Sequence, residues 1–294
     1  QMGNYPETKF IQFHDGRKIA YCEYGDPVGQ PLFYFHGTPG SRHEPLHAHQ
    51  AAQEHGYHLI APDRPGIGRS DYQEGRTLLG WADDVSQIAD QLGLNTFGVI
   101  GASGGGPHVL TCAYAIPDRL AFSVVMGSWV PVATTDLALD MAPLDKFFLR
   151  LASRSPFLFS LPFSWFVISS RYLSPQMFIK SMDSSLCEAD RKLLQNPEMA
   201  AFFQEDVKEA FAQGVRGPAD EAILLYKDWG FELGEIDVPV YIIHGEDDKF
   251  APHSFAVYLD KTLSNSTLKT YSGQGHLFLI TTFNEVFDLI ANPS

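Results

Sequence analysis

Two short stretches hold residue types at spacings that could do chemistry. Residues 101–105 read Gly-Ala-Ser-Gly-Gly, a G-x-S-x-G pattern centred on Ser103. Residues 43–47 read His-Glu-Pro-Leu-His, an H-E-x-x-H pattern. The first would lift a serine hydroxyl, as a nucleophile, onto a sharp turn between a strand and a helix. The second would hold zinc between two histidines one helical turn apart. The two readings need different surroundings.

A serine is a weak nucleophile until a base takes its proton and an acid orients that base. On a strand-to-helix turn of this kind, the acid and then the histidine follow the serine along the chain. Asp247 and Asp248 stand just past the apolar run 238–245, and His276 stands past 267–273, in "GQGH". The ends of parallel strands share one edge, so Ser103, an aspartate and His276 can meet there. The amide of Gly104, at the start of the following helix, points where an oxyanion would form. A second donor is expected from "HGTPG" (36–40), with the Thr38 N–H as the candidate. His36 in that loop reads as a structural hydrogen-bonding residue, and His108 and His253 read as poorer bases than His276. A dinucleotide-binding G-x-G-x-x-G does not fit, because position 103 is serine and position 109 is valine.

The zinc reading needs both histidines on one helix and a third ligand. His49, His55 and His58 lie nearby, but Pro45 sits between His43 and His47 and interrupts a helix there. No metal and no cofactor is expected.

The elements that must position these groups are legible as patterns. Residues 9–15 and 18–25 flank Asp15-Gly16 and read as a hairpin. Runs at 31–37, 57–63, 96–103, 120–128, 238–245 and 267–273 read as strands. Helical segments are expected at about 43–55, 78–93, 106–117, 253–263 and 277–291. Such alternation means a mostly parallel sheet covered on both faces. Between 130 and 230 no convincing strand appears. The expected organisation is therefore a core of 1–128 and 232–294 with a helical cap, or lid, of 129–231. Aromatic residues crowd 147–166, and an insertion rich in them points to a lid over a pocket. Phe157, Phe159, Trp165 and Phe166, with Trp129 just after a strand end, are the candidate substrate-binding residues, and they favour a hydrophobic substrate.

Composition limits the partners. The chain has 294 residues and a formal net charge of −14. That charge disfavours nucleic acid and anionic membranes as partners. Three scattered cysteines argue against a disulfide framework and for a reducing, cytoplasmic setting. No leader and no membrane span is read. The expected partner is a small-molecule substrate, and the expected state a monomer or homodimer.

The loops "HGTPG", "DRPGIGRSD", "GASGGGP", "HGEDDKFAP" and "GQGH", in this order and at these separations, resemble the α/β-hydrolase fold superfamily. The resemblance covers essentially the whole chain, with 130–230 matching the variable cap. It implies a catalytic carboxylate four residues after the histidine of H-G and four before a proline. That position is Asp248, with Asp247 as runner-up. The implied activity is a serine hydrolase of small, hydrophobic carboxylic esters, lactones or thioesters, working through an acyl-enzyme. Prolyl aminopeptidases resemble the chain in the H-G-x-P-G and D-R-x-G-x-G-x-S loops, but carry tryptophan after the nucleophile and glycine where Thr38 stands. C–C bond hydrolases and perhydrolases share the Ser-His-Asp set, and some members of the fold are small-molecule receptors. Epoxide hydrolases and dehalogenases use an aspartate nucleophile, against which Ser103 argues.

Overall fold

The computed structural model describes residues 5–292. Its centre is one eight-stranded sheet: β1 Lys9–Gln12, β2 Lys18–Gly25, β3 Gln30–Phe35, β4 Tyr57–Pro62, β5 Phe97–Ala102, β6 Leu120–Met126, β7 Val240–Gly245 and β8 Ser266–Tyr271. The spatial order is β1-β2-β4-β3-β5-β6-β7-β8. The β1–β2 and β2–β4 pairs are antiparallel and the rest are parallel. The expected hairpin turns at Gly16, whose φ of 91° suits a residue without Cβ.

Five core helices cover the sheet: α1 His49–Glu54, α2 Gly80–Gln91 and α3 Gly105–Ala115 before the helical insertion, α11 His253–Thr262 and α12 Phe283–Ala291 after it. Successive strand residues point to opposite faces, so β3 sends Leu32 to one side and Phe33 to the other. Leu32, Ile100, Val124 and Ile243 pack with Ala51 and Ala52 of α1 and Phe283 and Phe287 of α12. Phe33, Val99, Val125 and Ile242 pack with Val85 of α2, Leu110 of α3 and Phe255 of α11. Fully burying each such side chain stabilises the fold by roughly 1.5–3 kcal/mol.

Between β6 and β7 the chain forms no strand among the described residues. It forms α4 Pro143–Arg154, α5 Pro156–Phe163, α6 Trp165–Tyr172, α7 Pro175–Ser181, α8 Glu188–Leu194, α9 Pro197–Ala210 and α10 Arg216–Tyr226. Each of the first two starts with a proline at its first position, where a missing N–H costs nothing. Phe148, Phe159, Phe163, Phe178 and Phe211 form this insertion's own core.

Two expected helices are broken. Residues 44–48 form a 3-10 turn, because Pro45 adopts non-helical angles, and α1 starts only at His49. Residues 277–281 are likewise 3-10. There the Thr282 hydroxyl donates back to the carbonyls of Phe278 and Leu279 and competes with the regular ladder.

Candidate active site

Ser103 follows β5 and precedes α3, with φ of 53°, the one positive value at a non-glycine among the described residues. A serine is held there only because its surroundings over-determine it. Its N–H donates to the Met126 carbonyl of β6 at 2.8 Å, and its carbonyl accepts from Gly106 at 3.0 Å. The flanking glycines are steric necessities. A Cβ at Gly101 would strike the Gly105 carbonyl, and one at Gly105 would strike the Phe35 carbonyl.

His276 lies in the loop after β8, its ring Nδ1 2.6 Å from Oδ2 of Asp248. The other oxygen of Asp248 accepts from the amides of Phe250 and Ala251, each at 2.8 Å, which fixes the buried carboxylate. Asp247, by contrast, is exposed. Burial works against a charged His276, yet the Asp248 carboxylate beside it, helped by Asp190 and Glu44, holds its pKa above the ordinary imidazole value. Ser103 and His276 line one cavity of about 530 Å³, without a hydrogen bond between them.

Thr38 and Gly104 line the same cavity. Neither amide donates to any acceptor among the described residues. Unpaired N–H groups at a cavity wall are free to hold a developing oxyanion. The two residues touch: a Cβ on Gly104 would overlap the Thr38 side chain.

The fold and these loops match a family model described as alpha/beta hydrolase fold over residues 30–282. The chain belongs to the α/β-hydrolase fold family. It is 32% identical over 280 residues to a non-heme chloroperoxidase of Streptomyces lividans, covering 91% of this chain and 92% of that one. A bifunctional esterase/perhydrolase of Acinetobacter calcoaceticus is 25% identical over 278 residues, with coverage of 91% and 92%. A 2-hydroxy-6-oxononadienedioate/2-hydroxy-6-oxononatrienedioate hydrolase of Klebsiella pneumoniae is 26% identical over 235 residues, with coverage of 76% and 71%. In structure, an esterase from Exiguobacterium antarcticum superposes with a TM-score of 0.69 at 21% identity, covering 97% of this chain and 98% of that one.

Within this α/β-hydrolase fold, the expected pocket residues divide. Trp129, Trp165 and Phe166 line the cavity. Phe157 and Phe159 do not, which corrects that expectation. Two residues apart on α5, they point to nearly opposite sides of the helix. Phe157 is 68% exposed, while Phe159 is buried in the insertion's core. The histidines of the H-E-x-x-H stretch are engaged elsewhere. His43 stacks on Tyr5 with ring centroids 4.1 Å apart, and His47 meets Phe202 edge-on at 4.5 Å. Among the described residues no group of three His, Cys, Asp or Glu side chains is placed to hold a metal.

Several carboxylates at the site escaped sequence reasoning. Glu44 accepts from the Gly37 amide at 2.9 Å and from the Tyr34 hydroxyl at 2.6 Å, bracing the loop that carries Thr38. Glu221 of α10 accepts from the Thr38 hydroxyl at 3.0 Å and pairs with Arg64. Arg64 in turn donates to the carbonyls of His36 and Gly37 at 2.6 and 3.1 Å. Burial opposes the charge on Glu221, but Arg64 and Arg76 hold its pKa well below the ordinary carboxylate range. The same burial beside Arg64 pushes His36 down to about 3, so it stays a neutral strut. Asp190 of α8 accepts from the amides of His276 and Leu277 at 3.2 and 2.8 Å. Asp145 of α4 lines the cavity, and burial pushes its carboxyl up to about 7 against the pull of His276. A carboxylate in an insertion helix carries no local signature; only the fold brings these groups to the loops they hold.

Proposed function

We propose that the protein is a serine hydrolase of small, neutral, hydrophobic carboxylic esters. The observation that carries this reading is the meeting, in one cavity, of strained Ser103, of His276 backed by Asp248, and of two residues with unpartnered amides. Ser103 Oγ attacks the acyl carbon while His276 takes its proton. The oxyanion is held by the N–H groups of Thr38 and Gly104. The leaving alcohol departs with the proton from His276, and water, deprotonated by the same imidazole, releases the acid. Asp248 keeps the proton of the resting imidazole on Nδ1 and stabilises the imidazolium. The insertion between β6 and β7 acts as the cap over this pocket.

Cavity chemistry supports a neutral substrate. Glu44, Asp145 and Asp206 line it, and no lysine or arginine does among the described residues. A dicarboxylate, such as the dioates in the name of the Klebsiella pneumoniae relative, would meet no counter-charge there.

The Streptomyces lividans and Acinetobacter calcoaceticus relatives favour a second reading on the same acyl-enzyme. Hydrogen peroxide in place of water would attack the acyl carbon, expelling Ser103 Oγ and giving a peracid. One experiment tests both. Aryl esters of short acids are offered with and without peroxide, and released phenol and peracid are measured. Ser103→Ala should lose both products and should not be labelled by a fluorophosphonate. Unchanged turnover in a correctly folded Ser103→Ala protein would sink the proposal.

A further inference from the structure

Three helices of the insertion leave large apolar side chains in solvent. Leu144 and Phe147 stand out from α4, Phe157, Leu158 and Leu161 from α5, and Trp165, Ile168 and Tyr172 from α6, each 43–77% exposed. Within each helix they recur mainly three or four residues apart, so each set shares a face. On α5 the opposite face is apolar too, since Phe159 and Phe163 fill the insertion's core. The eight residues of α5, PFLFSLPF, carry no charge at all. A helix apolar all round belongs inside something larger than itself. Leu144, Phe147 and Trp165 also line the cavity, so the apolar face continues into the mouth of the site.

Charge says what covers it. Residues 143–172, which span α4 to α6, hold four basic side chains, Lys146, Arg150, Arg154 and Arg171, against one acid, Asp145, in a chain of net charge −14. The ion pairs inside the insertion are made by other cations, Arg191 with Asp183 and Lys208 with Glu205. None of the four pairs with a carboxylate among the described residues; Arg171 donates to the Phe211 carbonyl at 2.8 Å, and Arg150 and Arg154 are exposed. A second copy docking face to face would bring two such basic sets together. An anionic lipid surface instead offers acyl chains to the apolar residues and phosphates to the basic ones. The whole-chain charge argued against anionic membranes; the local distribution reverses that. No helix among the described residues is long and apolar enough to cross a bilayer, so the contact is peripheral.

We propose that the α4–α6 face docks on an anionic lipid surface and sets the cavity mouth against it, so that hydrophobic substrate enters from the lipid. Trp165 supplies the probe: it is 48% exposed, whereas Trp81, Trp129 and Trp229 are buried. The full chain is mixed with vesicles of phosphatidylcholine containing phosphatidylserine, or of phosphatidylcholine alone. Co-sedimentation and a blue shift of tryptophan emission are expected with the first, falling about tenfold in apparent affinity with the second. Trp165→Phe should lose the shift but still co-sediment. Leu158→Ser with Leu161→Ser should weaken vesicle binding about tenfold while turnover of a water-soluble ester is unchanged. Arg150→Glu with Arg154→Glu, both at exposed positions, should do the same should the serine variant fold poorly. Absence of vesicle binding, or binding that neither pair alters, overturns the proposal. So does self-association in sedimentation that Leu158→Ser with Leu161→Ser abolishes while vesicles are not bound, which assigns the face to a second copy.

Discussion

Thr38 and Glu221 lie 183 residues apart and are joined by a 3.0 Å hydrogen bond. Through that bond, helix α10 of the insertion holds the loop that carries Thr38 on the wall of the cavity it shares with Ser103. Glu221 is also the counter-ion of two buried arginines, Arg64 and Arg76. Removing one member of a buried ion pair strands the others in low dielectric. Glu221→Ala should therefore cost about 3–5 kcal/mol in urea unfolding. In the protein that folds, kcat should fall more than KM rises, because the loop bearing Thr38, the proposed oxyanion donor, is loosened and not the substrate wall. Parent-like stability would show that the clamp carries no weight.

The pH dependence follows from His276. In the proposed mechanism His276 must be neutral to accept the serine proton, so rate should rise with pH through its pKa. Asp248 holds that pKa above the ordinary imidazole value, and the acidic limb of the rate profile should lie correspondingly high. Asp248→Asn removes the charge that stabilises the imidazolium. The acidic limb should move to lower pH, and kcat should drop on the order of 10⁴-fold. An unmoved limb would mean that another group titrates.

Asp145 predicts a discrimination by charge. Its carboxyl ionises near neutrality because burial raises it to about 7. Below that pH it is neutral, and above it the cavity gains a negative charge. For a half-ester carrying a free carboxylate, KM should rise about tenfold between pH 6 and pH 8, while a neutral ester shows no such rise. Asp145→Asn should flatten the difference.

The H-E-x-x-H stretch should split by residue. His43 and His47 contact aromatic rings, so alanine at either should leave turnover within about twofold. Glu44→Ala strips the Gly37 amide and the Tyr34 hydroxyl of their acceptor. That should cost about 1–3 kcal/mol of stability and reduce kcat through the same loop. Prolonged dialysis against a strong chelator should not change ester turnover. Loss of activity on chelation, restored by zinc, would reverse the assignment.

What the sequence made legible was local. The strand–turn–helix setting of Ser103 and the loops bearing Thr38, Asp248 and His276 each depend on a few adjacent residues. The choice between Asp247 and Asp248 was left to a family pattern, because neighbouring aspartates differ only in which way the loop turns them. The aromatic stretch 147–166 was readable as part of a helical insertion, but not side chain by side chain. Phe157 and Phe159 show why: two residues on a helix reverse direction, and only the helix orientation says which points outward. Glu221, Asp190 and Glu44 stayed silent because their partners are backbone amides or side chains far along the chain, or behind a proline that spoiled the expected helix.

Asp190 of α8 grips the backbone on which His276 is mounted, as Glu221 of α10 grips the loop bearing Thr38. The insertion is thus not an interchangeable lid resting on a finished machine. Exchanging it for the corresponding segment of another hydrolase, in order to change substrate range, would remove both grips at once. A chimera should be built around Asp190 and Glu221, with the new helices grafted between and outside them, or the core will hold His276 and the Thr38 loop in the wrong places.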